Sequence, residues 1–417
     1  MRLGLLVFAA LFFPRPEADG GRLLASKEPG WPQWRGPRRD GISDEKKLLQ
    51  SWPAGGPPLL WKTEGLGRGW SSPVVSGGSI YLTGDMGEEL RLFALDLNGK
   101  VRWESTNGRA WTGQYPGARA SCAVDEGRLY HLNAHGRAAC FDAAGGKELW
   151  SADILQRFEG NVILWGLSEC VLVDGPRLIV TPGGKKAAMA ALDKKTGETV
   201  WTSEPIEKND AGYGSPILFE LGGRRHLVSY SSRHVFGVDA DTGRALWKRP
   251  RPSEYLALAF TPVFCGEGVY VTTPGKNGGT LYRLGVQDGQ PRVETVWDSP
   301  VDTLQGGALL VDGLLIGSGY EGFKGWAALD LATGRPRYTT RELAIGSVIY
   351  ADGRLYCLSE RGEMALIQAT SSAFEFMGRF PLIAERKQDV WAQPVICDGR
   401  LYLRYHETLY CYDIRAK

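Results

Sequence analysis

Short runs in which apolar and polar residues alternate recur along almost the whole chain, each run closed by a glycine turn. Ser71–Gly78 is one such run and Ser79–Thr83 is its return; Leu90–Asp96 is a third and Lys100–Trp103 a fourth, reached through Asn98-Gly99. Period-two patterning predicts strands, and Asn-Gly is a strong signal for a two-residue hairpin. The turn and second strand of the first hairpin return at Gly127–Tyr130, Gly175–Ile179, Gly223–Leu227, Gly268–Tyr270, Gly313–Leu315, Gly353–Tyr356 and Gly399–Tyr402, which makes eight copies. A repeat of this length, filled by four strands, is one antiparallel sheet.

The second half of each repeat carries its own phrase, fullest in Ala191-Leu192-Asp193-Lys194-Lys195-Thr196-Gly197-Glu198-Thr199-Val200-Trp201. Weaker copies end at Trp103, Trp150, Trp247, Trp297 and Tyr338. Asp and Thr are suited to bond the amides of their own turn. The terminal Trp buries a large ring and offers one N–H, so it reads as a staple onto the neighbouring sheet. The seventh copy lacks Thr-Gly, and Phe374 or Phe376 is expected to replace its Trp.

A lone four-stranded sheet leaves two faces and two edges to cover. Packing eight sheets around an axis covers the faces, and closing the ring protects the edges. The expected fold is therefore an all-β, eight-bladed β-propeller of four-stranded antiparallel blades. Its last repeat stops after three strands, at Leu409–Asp413, whereas Pro58–Lys62 is a fourth strand with no first three before it. The N-terminal strand is expected to complete the last blade.

Composition refines this picture in three places. Among 417 residues, 55 are glycine, which suits a fold that turns every few residues, and the net charge of +2 gives no basic footprint for nucleic acid. Residues 1–20 read as a signal peptide, with Arg2 ahead of the apolar run Leu3–Phe13. The protein is thus expected to be exported, periplasmic or extracellular, with no transmembrane span after signal removal. Residues 21–57 form a lead-in segment and 58–417 the propeller. The two Trp of 31–40 argue that this stretch docks on the ring. The seven cysteines favour buried thiols over disulfides; Cys122, Cys265 and Cys397 are read as equivalent positions, as are Cys140 and Cys411.

The Ala-x-Asp-x-x-Thr-Gly-x-x-x-Trp phrase resembles the tryptophan-docking repeat of quinoprotein dehydrogenases and of BamB-like propellers, over about residues 59–414. Trp31-Pro32-Gln33-Trp34-Arg35-Gly36-Pro37 and Arg39-Asp40-Gly41 are similar to the lead-in of bacterial PQQ-binding-like β-propeller repeat proteins. The likeness to quinoprotein dehydrogenases implies an oxidoreductase acting on alcohols or sugars with pyrroloquinoline quinone and calcium. The likeness to BamB-like propellers implies a partner-binding role in outer-membrane protein assembly. The adjacent Cys-Cys pair of many alcohol-oxidising relatives is missing, and calcium ligands are not recognisable residue by residue.

Other catalytic patterns are weak. His131 and His135 flank a hairpin turn and read as surface or turn residues, and Gly183-Gly184-Lys185-Lys186 reads as a solvated hairpin. Aligning the repeats at the entry to each innermost strand gives a ring of Ser72, Ser121, Ser168, Ser215, Thr261, Gly307, Ser347 and Gln393, which suits close packing near an axis. Two positions earlier stand Trp70, Arg119, Gly166, Tyr213, Ala259, Gln305, Ile345 and Trp391, with Trp165 alongside. Packing does not require aromatic and guanidinium groups at a rim. Trp70, Arg119, Trp165, Tyr213, Gln305, Trp391 and Gln393 are therefore the candidate ligand-binding residues, at an axial mouth suited to a planar or anionic ligand, a sugar or a peptide segment. No catalytic or metal-binding residue is assigned. The expected function is an exported, non-catalytic scaffold for a protein partner or small ligand, acting as a monomer, with the quinone-dependent oxidoreductase as the alternative.

Overall fold

The computed structural model describes residues 20–206, 210–251, 253, 256–275, 277–287, 290–303, 306–370 and 372–416. The expected signal peptide (but for Gly20) and Gln305 lie outside the described residues. The remainder folds as eight four-stranded antiparallel blades in a ring, each inner strand leading outward through a meander. Blade 1 runs through Val74–Ser76, Ser79–Met86, Glu89–Asp96 and Val101–Arg109, as the alternation predicts. The α-helix Ile154–Phe158 bridges blades 2 and 3, capped by Asp153. No helix among the described residues is long and apolar enough to cross a membrane.

Closure follows the predicted scheme. Leu59–Thr63 pairs antiparallel with Thr408–Asp413, so head and tail of the chain share blade 8.

The repeated phrase holds adjacent blades together. Asp193 Oδ1 accepts from the amides of Lys195 and Thr196 at 2.8 and 2.9 Å, and Asp239 does the same for Asp241 and Thr242. At Gly99, Gly146, Gly197, Gly243 and Gly334 the turn glycine receives the Trp of the preceding blade. A Cβ on Gly146, Gly197 or Gly334 would stand 2.4–2.6 Å from the ring of Trp103, Trp150 or Trp297. The indole N–H of each Trp donates to a carbonyl of the same turn: Trp103 to Ala143 at 3.1 Å, Trp150 to Lys194 at 3.0 Å and Trp297 to Leu331 at 2.8 Å. Trp61 repeats the bond to Leu97 at 3.0 Å and so links blade 8 to blade 1. The glycine of Thr-Gly is thus required twice, for its positive φ and for the ring that lies on it. Gly197→Ala is expected to destabilise by about 2 kcal/mol, from strain plus overpacking. Gly127→Ala has the same backbone demand but nothing within 4 Å of its Cβ, so thermal unfolding of the two variants separates collision from strain.

Blade 7 departs from expectation. By register, the position that carries Trp in other blades is Gly378, opposite Leu366 at the bulge. Neither Phe374 nor Phe376 takes the role; Phe374 packs edge-on against Tyr338 of blade 6 instead. The vacancy is filled by Trp52 of the lead-in, whose backbone amide donates to the Met377 carbonyl at 2.9 Å. Its ring meets Tyr356 at 5.8 Å and Phe380 at 5.5 Å. The Tyr356 contact repeats the same-blade Tyr–Trp pairs Tyr81–Trp103 and Tyr130–Trp150.

The rest of the lead-in crosses one face of the ring and touches every blade. Arg22–Leu23 adds an antiparallel strand to blade 4, and Ile42–Ser43 adds a parallel one to blade 7. Trp31 bridges Val75 of blade 1, and the Pro32 carbonyl accepts from Val124 of blade 2. Arg39 donates to the Cys170 and Val171 carbonyls of blade 3 at 2.7 and 3.1 Å. Trp34 donates to Thr261 Oγ1 of blade 5 at 3.0 Å. Arg35 donates to the Ala308 carbonyl of blade 6 at 2.6 Å and to Gln393 Oε1 of blade 8 at 3.5 Å. Arg35 and Arg39 are both buried. Their guanidinium groups are met by carbonyl and amide oxygens, and burial lowers each to about 10, which still leaves them charged.

All seven cysteines are free thiols, buried except for half-buried Cys265. Cys140 and Cys411 are equivalent, each opposite a docking Trp. Cys265 and Cys397 both follow or end an inner strand, whereas Cys122 precedes one, so the three-way equivalence does not hold. His131 is fully buried rather than superficial, and the Asn107 amide donates to its Nδ1 at 2.8 Å.

Candidate functional site: the open axial mouth

The lead-in strands pair at the far ends of the inner strands of blades 4 and 7, so that end of the axis is covered, while Trp34, Arg35 and Arg39 reach inward to the strand entries. At the opposite end, the segments entering the inner strands frame a cavity of about 470 Å³. The two rings of residues read from the repeats behave differently there. The small hydroxyls stitch blades together: Ser121 Oγ accepts from the Ser72 amide at 2.9 Å, Ser215 Oγ from Cys170 at 2.9 Å, and Ser72 Oγ from Gln393 at 2.7 Å. These bonds are the packing role expected of small groups near an axis.

The outer ring supplies an aromatic wall. Trp70, Arg119, Trp165, Tyr213 and Trp391 all line the cavity. Their rings form a continuous chain when Tyr115 is included: Tyr213–Trp165 at 5.5 Å, Trp165–Tyr115 at 6.5 Å, Tyr115–Trp391 at 5.2 Å and Trp391–Trp70 at 4.3 Å. His406 closes the chain edge-on to Trp70 at 4.5 Å. Gln393 is elsewhere: it is buried and faces Arg35 of the lead-in.

Arg119 organises this wall. Its Nε donates to the Trp165 carbonyl at 2.5 Å, Nη1 to Tyr115 and Gly117 at 2.8 and 3.1 Å, and Nη2 to Gln114 at 3.0 Å. Four of its five N–H groups are therefore spent on backbone carbonyls. The guanidinium also lies 5.3 Å from the Trp111 ring. The loop it holds is fastened further by Trp165 Nε1 to Gln114 Oε1 at 2.8 Å and by the Trp111 amide to Asp85 Oδ2 at 2.9 Å.

Burial sets the charges around the mouth. Desolvation raises Asp85 to about 6 and lowers His406 to about 4, with Arg404 and Arg68 adding to the latter. His406 is neutral at pH 7. Arg404, buried beside Ser71, falls to about 9 by desolvation and keeps its proton. Glu360 is raised by burial and by nearby Asp389. Glu360 and Asp389 are the carboxylates among the described lining residues.

Several lining residues were not expected from the repeats. Trp34 comes from the single-copy lead-in, and Tyr115 from the loop joining blade 1 to blade 2. Tyr115 is 51% exposed and sits at positive φ, a rare backbone for a ring-bearing residue. Val162 and Leu164, beside Trp165, are 50% and 66% exposed and extend the apolar lip.

The donor set does not fit calcium-dependent quinone chemistry. Among the described residues no three His, Cys, Asp or Glu stand close enough to share a cation. Calcium takes six to eight oxygens, several of them carboxylate, whereas the described lining residues offer two carboxylates and an arginine already committed to backbone carbonyls.

Comparison with known proteins agrees with the fold. The chain is 31% identical over 146 residues to a 1-butanol dehydrogenase (quinone) of Thauera butanivorans, covering 32% of this chain and 23% of that enzyme. The quinoprotein ethanol dehydrogenases it matches are likewise spanned over only 23% of their length. The outer membrane protein assembly factor BamB of Shewanella oneidensis is 22% identical over 293 residues, covering 64% of this chain and 67% of the relative. The crystal structure of BamB from Moraxella catarrhalis superposes with a TM-score of 0.60 at 13% identity, over 86% of this chain and 98% of that one. The family described as Outer membrane protein assembly factor BamB matches residues 91–254 and 212–375, more than half of the sequence. With its eight blades and their Trp-on-glycine docking, the chain belongs to this family of PQQ-like, BamB-like propeller repeats.

Proposed function

We propose that the protein is a non-catalytic binding propeller of the cell envelope, which receives a segment of a partner protein at its open axial mouth. The observation that carries this reading is the aromatic wall around a cavity covered at one end and open at the other. Trp70, Trp165, Tyr213 and Trp391 line it, Tyr115 stands half out of it, and Val162 and Leu164 extend its lip. Aromatic anchors in a concave site with an exposed apolar rim are what a protein interface concentrates. Membership of a family named for an assembly factor, and the likeness to BamB of Shewanella oneidensis, support a partner protein and an exported location.

The test is capture of a stoichiometric partner from an envelope extract by the purified protein. Tyr115→Ala with Trp391→Ala is expected to reduce capture at least tenfold while the thermal transition stays cooperative, because truncating interface anchors costs roughly 2 kcal/mol or more each. Undiminished capture by a folded double variant removes the mouth from the interface.

A further inference from the structure

Resting on that reading, we infer that the group received in the mouth is cationic: a lysine or arginine side chain presented by the partner polypeptide. Tyr213, Trp165, Tyr115, Trp391 and Trp70 present an unbroken run of rings, and ring faces attract cations. Glu360, in the turn between the second and third strands of blade 7, and Asp389, on the entry to blade 8, complete the lining with negative charge. Arg119, the cation among the described lining residues, stands on blade 2 and has four of its five donors on backbone carbonyls. Among the described lining residues an anionic ligand would therefore meet two carboxylates and one remaining guanidinium N–H.

The protein already contains two small versions of the proposed contact. The Arg119 guanidinium lies over Trp111, and Arg386 reaches Asp389 from the solvent side in an ion pair. Arg386 is exposed, so a partner cation arriving at Asp389 competes with a side chain that water readily takes back. A cavity of about 470 Å³ admits a side chain with its stem rather than a folded element.

Isothermal titration of the full chain with N-acetyl-arginine N-methylamide, its lysine counterpart, and the neutral citrulline and norleucine counterparts tests the assignment. The cationic probes are expected to bind at least tenfold more tightly than the neutral ones. Glu360→Gln with Asp389→Asn is expected to erase that difference without altering the weak neutral binding. Arg386→Gln is expected to strengthen arginine binding severalfold, a change that a general loss of structure does not produce. Equal binding of citrulline and arginine, preference for the glutamate counterpart, or tighter binding of choline than of either amino-acid cation overturns the inference. If no probe binds while Tyr115→Ala with Trp391→Ala still abolishes partner capture, the cationic assignment falls and the mouth remains the interface.

Discussion

A chain that begins at Glu64 is expected to show no cooperative thermal transition. Removing residues 20–63 takes away the fourth strand of blade 8 and the Trp61 bond that joins it to blade 1. It removes Trp52 from blade 7, and it removes the lead-in contacts that reach all eight blades. Blade 8 is left with an open edge and its neighbours with exposed apolar faces. Circular dichroism and calorimetry of the truncated chain read this directly; a sharp transition near that of the full chain would sink the closure argument. The single substitution Trp52→Ala isolates one component. Its ring is 7% exposed and sits among Tyr356, Phe380 and the backbone of Gly378. Large-to-small replacement of a buried Trp costs about 3–5 kcal/mol. The same substitution at a residue that merely trailed in solvent would cost almost nothing.

The second large effect concerns Glu169. It is 2% exposed, and desolvation raises it from the usual carboxylate range to about 8, with Thr181 and Arg39 acting in the opposite direction. The unfolded chain releases this proton near its ordinary value, whereas the folded protein holds it to about pH 8. The contribution of Glu169 to stability is thus complete below the unfolded value and disappears as pH rises through the folded one. Glu169→Gln keeps the shape and the neutral charge, so it removes this loss. Relative to the unsubstituted protein, the variant is expected to gain about 3 kcal/mol between pH 5 and pH 8. Denaturant midpoints at the two pH values provide the measurement. His131 and His406, both lowered to about 4, are unchanged in the variant, so their opposite slope cancels in the difference. A constant difference between pH 5 and 8 would mean that Glu169 is ionised when buried.

The eight blades and the shared last blade are visible in the sequence because each repeat can be compared with seven others. A strand that ends on Asp, a Thr-Gly turn and a returning Trp carry their geometry locally. The turn amides bond Asp193, and the ring of Trp150 finds the bare face of Gly197. Residues that occur once have no such comparison. Trp52 occupies a place that the seventh repeat leaves open at Gly378, and that place exists only once blades and lead-in are assembled. His131 looks like a turn residue by position, yet a three-dimensional neighbour, Asn107, makes it buried. At the mouth, Trp70, Arg119, Trp165, Tyr213 and Trp391 were legible from repeat alignment. Tyr115, Glu360 and Asp389 were not, because Tyr115 and Asp389 stand on loops between blades and Glu360 on a hairpin turn, away from the aligned position. The role of Arg119 was also beyond the sequence: its charge suggested an anion, but its donors are used to hold a loop.

The path of the lead-in has a consequence for how the molecule is made. Translation delivers residues 21–63 before any of the sheets they join, and their partners include Arg415, bridged by Leu48, near the end of the chain. Leu59–Thr63 must wait, unpaired, until Thr408–Asp413 has left the ribosome. Ring closure therefore comes only after the eighth blade is made, and a nascent chain halted short of Thr408–Asp413 lacks the pairing surface that Leu59–Thr63 needs.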